Sequence, residues 1–349
     1  MELINRTPVV GHLRVSKLEE TPFRYGLLTA KATFEVDDKG RVRLDTQAPY
    51  PVFEADEPTP LGVLPSDVVP RRDRALEVIV LGSVYGRGQA RQTVDLTVGA
   101  HRQRLLALGE RRWSSAAPGA RISEPEPFDV LPLTWARAYG GSADCWIDAH
   151  SVIDLEHPMN KYGRGFDAAR LAEDVGKAFQ APPGYPRLAA KYRRELPNLE
   201  DPRHPIQRWE DDPRPYCWAT VPMDIGVHSQ RAQDRMRAHQ PLSQAEMLEL
   251  VYHRAHPDWI LPIPPAGAKV TLRGMTPSGV WSFVLPRLRV LADYVLGERS
   301  GVRELDPHLL MLLPEESRFY LVYRHFFTMK VDKDTRREFR LRLAEGWVQ

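Results

Sequence analysis

The chain has 349 residues, 31 of them proline and 23 glycine, with 48 basic side chains against 46 acidic ones. A hydrophobic share of 42% supplies a real core and excludes wholesale disorder, scattered proline excludes a long-helix bundle, and the near-neutral charge lacks the footprint of a nucleic-acid binder. The longest apolar runs, such as Leu309 to Leu313, fall far short of the ~20 residues that span a bilayer, and Met1-Glu2-Leu3-Ile4-Asn5-Arg6 has no secretory pattern, so a cytoplasmic protein is expected.

Tyr25 to Val36 is rich in β-branched and aromatic residues, and Asp37-Asp38-Lys39-Gly40 turns it into Arg41 to Leu44, which predicts a hairpin. Six prolines between Pro49 and Pro70 predict an extended course across a surface. Leu76 to Val84, Thr93 to Val98 and Gln103 to Leu108 follow as short apolar runs. Their connectors, Gly86-Arg87-Gly88 and Gly99-Ala100-His101, give the spacing of an antiparallel meander. Gly163 to Gln180 carries Phe166, Ala169, Leu171, Val175 and Phe179 near helical spacing, with Asp167 as N-terminal cap. After a proline-rich stretch from 182 to 222, helices are expected at Ser229 to Ala238 and Ser243 to Tyr252, the second with the capping box Ser243-Gln244-Ala245-Glu246. Ala268 to Met275 and Gly279 to Leu285 form a hairpin around Thr276-Pro277-Ser278. His308 to Leu313 and Arg318 to Phe326 form another, and Glu338 to Leu343 is strand or helix. The fold class is mainly β, with α+β as the alternative: an antiparallel β-sandwich or meander sheets with a few inserted short helices and long Pro-rich loops. Three regions are expected, a β region over 1–145, an irregular and partly helical segment over 146–257, and a β region over 258–349 packed with the first as one unit.

The chemistry is sparse. Gly82-Ser83-Val84-Tyr85-Gly86-Arg87-Gly88 leads into a strand, whereas a phosphate loop opens a helix, so its glycines serve a turn. His253, His256 and Asp258 could together serve a divalent metal, but Pro257 biases His256 away from helical angles, and surface histidines at a helix end are expected instead. Arg137-Ala138-Tyr139-Gly140-Gly141-Ser142 lacks a nucleophile elbow. Asn198, Glu200 and Asp201 lie in Leu196-Pro197-Asn198-Leu199-Glu200-Asp201-Pro202. Paired carboxylates there suit acid–base work if their pKa values split, yet in a proline-bracketed loop they are expected to bind backbone amides or a neighbouring arginine. Cys145 and Cys217 are expected as buried free thiols. Only nine of the 48 basic residues are lysine, a bias that GC-rich coding explains. Most of Trp113, Trp135, Trp146, Trp218, Trp259 and Trp281 belong to the core or to hairpins, and one or two exposed at a groove suit a protein partner.

Taken in order, several segments resemble a bacterial family of unknown function associated with type VI secretion and PAAR-like effectors. They begin with Leu28-Thr29-Ala30-Lys31-Ala32-Thr33-Phe34, Ser66-Asp67-Val68-Val69-Pro70 leading into Val78 to Gly82, and Val98-Gly99 followed by Gly109-Glu110-Arg111-Arg112-Trp113. The most diagnostic are Pro127-Phe128 with Leu131 to Gly141, Asn160-Lys161-Tyr162-Gly163-Arg164-Gly165-Phe166, and Leu196 to Pro202. Val270 to Pro277, Phe283 to Pro286 and Val322-Tyr323-Arg324 complete the series. After residue 215 the chain departs from the pattern, with Trp218 and then Val221-Pro222-Met223-Asp224-Ile225-Gly226, which puts in doubt any partner contact made there.

The resemblance implies a non-catalytic cytoplasmic adaptor or chaperone that binds the PAAR-like region of an effector toxin and promotes its loading onto the spike, with the spike protein as a possible second partner. No cofactor, metal, nucleic acid or membrane insertion is implied. Trp135, Arg137, Tyr139, Asn198, Glu200 and Asp201 are the motif-based candidates for partner binding, and exposed strand edges or Pro-rich loops offer strand addition. The alternative is a hydrolase using the Asn198-Glu200-Asp201 loop. Nucleic-acid contact by surface arginines is a third, salt-sensitive reading.

Overall fold

The long apolar run near the N-terminus becomes strand β3 (Phe23–Val36), and its partner is the run near the other end, β24 (Arg318–Lys330), paired antiparallel from Arg318 opposite Glu35 to Lys330 opposite Phe23. The computed structural model describes residues 1–17, 23–69, 74–115, 118–188, 194–222, 253–330 and 337–344. The helices expected at Ser229 to Ala238 and Ser243 to Tyr252 lie outside them.

Around β24 and β3 a seven-stranded sheet is built in the order β18 (Ile260–Pro262), β7 (Ala75–Val80), β23 (Asp306–Leu313), β24, β3 and β2 (Val10–Lys17), with β4 (Val42–Leu44) also on β3. A five-stranded sheet runs β17 (Leu199–Glu200), β10 (His101–Leu108), β9 (Arg91–Val98), β19 (Lys269–Arg273) and β20 (Val280–Val284). Stacked rings join the two sheets: Phe319 of β24 lies 4.9 Å from Phe34 of β3 and 4.5 Å from Phe283 of β20. Each ring is at most 2% exposed, so each contributes about 2–3 kcal/mol of apolar burial.

A four-stranded sheet, β1 (Glu2–Asn5), β25 (Arg337–Leu343), β21 (Val290–Leu296) and β22 (Arg299–Glu304), caps one end of β24 through Phe339, whose ring is 4.7 Å from Phe327. The Phe327 ring crosses the strand partner Gly26, where a Cβ would stand 2.0 Å from it. A second, smaller core gathers Trp113, Tyr139, Cys145, Leu155, Phe166, Ala172, Leu196 and Ile206. Over it lie a three-stranded sheet, β14 (Val152–Glu156), β13 (Ser142–Trp146) and β16 (Arg187–Leu188), and the single α-helix of the described residues, α1 (Ala169–Ala178). Three strand pairs complete the fold: β5 (Glu57–Thr59) with β6 (Gly62–Leu64), β8 (Ser83–Gln89) with β11 (Phe128–Pro132), and β12 (Tyr139–Gly140) with β15 (Arg164–Gly165).

The mainly β reading holds, as do the hairpins β3–β4, β9–β10, β19–β20 and β23–β24. Glu338 to Leu343 is strand, within β25. Three details differ. The run Leu76 to Val84 is two strands in separate sheets, broken where the Leu81 amide turns to Leu312 O and Gly82 passes Pro314. The expected meander is therefore only β9–β10, because β7 leaves it to pair parallel with β23. Gly86-Arg87-Gly88 lies inside β8, the left-handed Arg87 and Gly88 (φ 55° and 77°) taking up the irregular register with β11. The expected cap is displaced by one residue: α1 begins after Ala168, with Asp167 Oδ1 accepting the Ala169 amide at 3.0 Å.

Candidate interaction site

The Leu131–Gly141 motif starts in strand β11, passes through a 3-10 turn, Trp135–Arg137, and ends in β12. Trp135 anchors that turn by donating its ring N–H to Ala219 O at 3.1 Å. Asn160, fully buried, spans the turn: its Nδ2 donates to Trp135 O at 2.8 Å and Tyr139 O at 2.9 Å. Gly140 makes this approach possible, since its φ is +138° and a Cβ there would stand 2.1 Å from Asn160 O. His157 fixes the opposite side, its Nδ1 accepting the amides of Met159 and Asn160 at 3.2 Å. Its ring meets Tyr139 and Phe166 edge-on, and burial pushes its pKa down to about 4.

The Leu196–Pro202 motif lies beside this turn. Asn198 donates from Nδ2 to Leu108 O at 3.0 Å, and Oδ1 accepts from Arg137 Nη1 at 3.1 Å. Glu200 is 4% exposed and forms an ion pair with Arg111. Burial raises the Glu200 pKa, outweighing Arg111. Asp201 faces the other way, towards Arg203 Nε at 2.9 Å and His204 Nδ1 at 3.2 Å. Burial alone would raise its pKa, and the Arg203 bonds reverse the shift. Glu110, half exposed, takes Arg164 Nη1 at 3.0 Å and Arg137 Nη1 at 3.4 Å.

The six motif-based candidates are thus neighbours through Arg137 and Asn198, yet Trp135, Tyr139, Asn198 and Glu200 are buried, and only Arg137 and Asp201 keep partial exposure. Their polar atoms hold backbone and neighbouring side chains, the amide-and-arginine role expected of the loop. His253 and His256 correct an expectation: they are not surface histidines. His256 is 9% exposed, accepts the Asp258 amide at 3.2 Å and packs on Tyr216, while His253 Nδ1 lies 3.4 Å from the buried Glu77. Among the described residues no group of three or more His, Cys, Asp or Glu is arranged for a metal. Cys145 and Cys217 are buried free thiols as expected, and burial pushes Cys217 up to about 12.

Where four of the motifs meet, Trp113, Tyr139, Gly165 and Leu196 line a dent with Asp167 and Trp209, and the cavity of about 10 Å³ holds roughly one water. Small-molecule sites are usually about 300–1,000 Å³. The sequence reading missed the most buried ionic site, Lys31 with Asp67. Thr29, Lys31 and Thr33 alternate along β3 and are all covered, because the proline-rich segment crosses them as predicted. The Tyr50 amide donates to Thr33 Oγ1 at 2.9 Å, and Asp67 Oδ2 accepts from Lys31 Nζ at 2.8 Å and from the Phe53 amide at 2.7 Å. A lysine inside an otherwise apolar strand was the available signal.

Residues 23–324 match the family described as an uncharacterized protein conserved in bacteria (DUF2169). The chain belongs to this family. No curated protein and no solved structure matches it. The DUF2169 match covers β3 and the first half of β24, to Arg324, together with every motif of the buried network. No helix of the described residues is long and apolar enough to cross a membrane.

Proposed function

We propose that this DUF2169 chain is a non-catalytic cytoplasmic adaptor that binds the PAAR-like region of a type VI secretion effector and promotes its loading onto the spike. The observation that carries the reading is the fate of the diagnostic motifs. Asn198, Glu200 and Trp135 spend their polar atoms on internal bonds and Asn160 its side-chain amide N–H groups, which is the chemistry of a preorganised scaffold that loses little entropy on binding. Glu200 and Asp201 each have a cationic partner of their own, so no specific observation favours a hydrolase built on them. Near-neutral charge suits a folded protein partner better than a polyanion.

The test is co-expression with each PAAR-like protein found in the same genome, followed by size exclusion. A stable complex at micromolar concentration is expected, and separate elution would overturn the reading.

A further inference from the structure

We propose that the outer face of the β14–β13–β16 sheet is the docking surface for a partner segment that sets a basic side chain beside an apolar one, an inference that rests on the adaptor reading. Along β13, Ala143 and Cys145 are buried at 4% and 0% while Asp144 and Trp146 point outward. Along β14, Leu155 is buried while Val152 and Asp154 point outward. The register then sets Trp146 opposite Val152 and Asp144 opposite Asp154.

Both halves of this face are costly in a free protein. Trp146 is 40% and Val152 43% exposed, and among the described residues five of the ten exposed large apolar side chains, Trp146, Val152, Tyr162, Leu171 and Phe179, fall between 146 and 179. Like charges directly opposite on a sheet are destabilising, and Asp144 and Asp154 form no ion pair or side-chain hydrogen bond among the described residues. The neighbouring Glu156, by contrast, has Lys161 at 3.6 Å. Arg187 stands opposite Trp146 on β16, two residues along from the Asp144 position.

Charge complementarity selects the occupant. A lysine or arginine seated between Asp144 and Asp154 converts a repulsion into two charge-assisted contacts, and the adjoining apolar side chain covers Trp146 and Val152, with tryptophan the residue type most often decisive at interfaces. A second copy docked through the same face would bring four carboxylates together, so self-association there is disfavoured. Strand addition at β22 is disfavoured too, because that edge exposes Arg299, Arg303 and Glu304.

The test measures binding of the full chain to the PAAR-like proteins found in the same genome, by titration calorimetry, for the wild type, Trp146→Ser, Asp144→Asn with Asp154→Asn, and Val302→Ser on β22. The first two variants should weaken Kd about tenfold or more, Val302→Ser should stay within about twofold, and the Asn pair should melt no lower than wild type because it removes a repulsion. If the wild type binds and the two face variants bind equally well, the partner sits elsewhere and this inference falls while the adaptor reading stands. If the wild type itself does not bind, the adaptor reading falls and the docking face with it.

Discussion

Lys31 Nζ lies 2.8 Å from Asp67 Oδ2 with both side chains at 0% exposure, and the same ammonium stands 3.8 Å from the centre of the Phe53 ring and 3.9 Å from that of Tyr320. Burial lowers the Lys31 pKa to about 8, with Asp67 opposing the shift. The pair pins the proline-rich segment onto the central strand. Asp67→Ala leaves a buried ammonium without its counter-ion and should cost about 3–5 kcal/mol in urea unfolding. Replacing both partners, Lys31→Met with Asp67→Leu, should recover at least half of that loss. A double variant as unstable as the single one would show that the charge is not what matters.

Acid should loosen the second core through His157. Its folded pKa is held near 4 by burial, below the ordinary 6.5, so between those values the unfolded chain binds the proton that the folded ring refuses. Stability therefore rises with pH across this window and falls on acidification, by about 2 kcal/mol from this group at pH 5. His157→Asn, whose side-chain oxygen can still accept the Met159 and Asn160 amides, should show a shallower fall in melting temperature between pH 7 and pH 5. Equal slopes would assign the acid sensitivity to other groups.

Gly140 and Asn160 should be mutually dependent. Gly140→Ala combines a left-handed φ of +138° with a Cβ 2.1 Å from Asn160 O, a contact to backbone, which cannot rotate aside. Asn160→Ala removes two buried bonds to carbonyls and should cost about 1–3 kcal/mol. The Gly140→Ala variant should be the less stable of the two in thermal melts, and the reverse order would refute the steric account.

The two acids of the Leu196–Pro202 motif should separate sharply. Glu200→Ala strands Arg111, whose side chain is 7% exposed, and should cost about 3–5 kcal/mol. Asp201→Ala leaves Arg203 on Asp258 at 2.8 Å and frees only His204, which is 73% exposed, and should cost under about 1 kcal/mol. Chemical denaturation of both variants reads the difference directly. Similar losses would mean that Asp201 carries more of the motif than its surroundings indicate.

Local chemistry was legible in the sequence, and distant pairing was not. Asp37-Asp38-Lys39-Gly40 and Thr276-Pro277-Ser278 announce their hairpins because turn residues sit where the chain reverses. Nothing near Leu76 shows that it belongs to a strand lying parallel to β23, or that Glu2–Asn5 pairs with β25; such contacts are decided by which faces remain to be covered. The Leu196–Pro202 loop was read correctly as a binder of amides and arginine, since asparagine and acids between prolines have few other uses. Lys31 and Asp67 were each visible in quoted segments, but their ion pair depends on the 49–70 crossing folding back over β3. The histidines before Trp259 were misplaced on the surface for a similar reason: their covering residues, Tyr216 and Glu77, come from elsewhere in the chain.

The adaptor account is tested most directly by co-expressing the full chain with each PAAR-like protein found in the same genome and measuring the mass of the eluted species by light scattering after size exclusion. The account predicts a single peak containing both proteins that persists at micromolar concentration; two peaks at the masses of the separate proteins would contradict it.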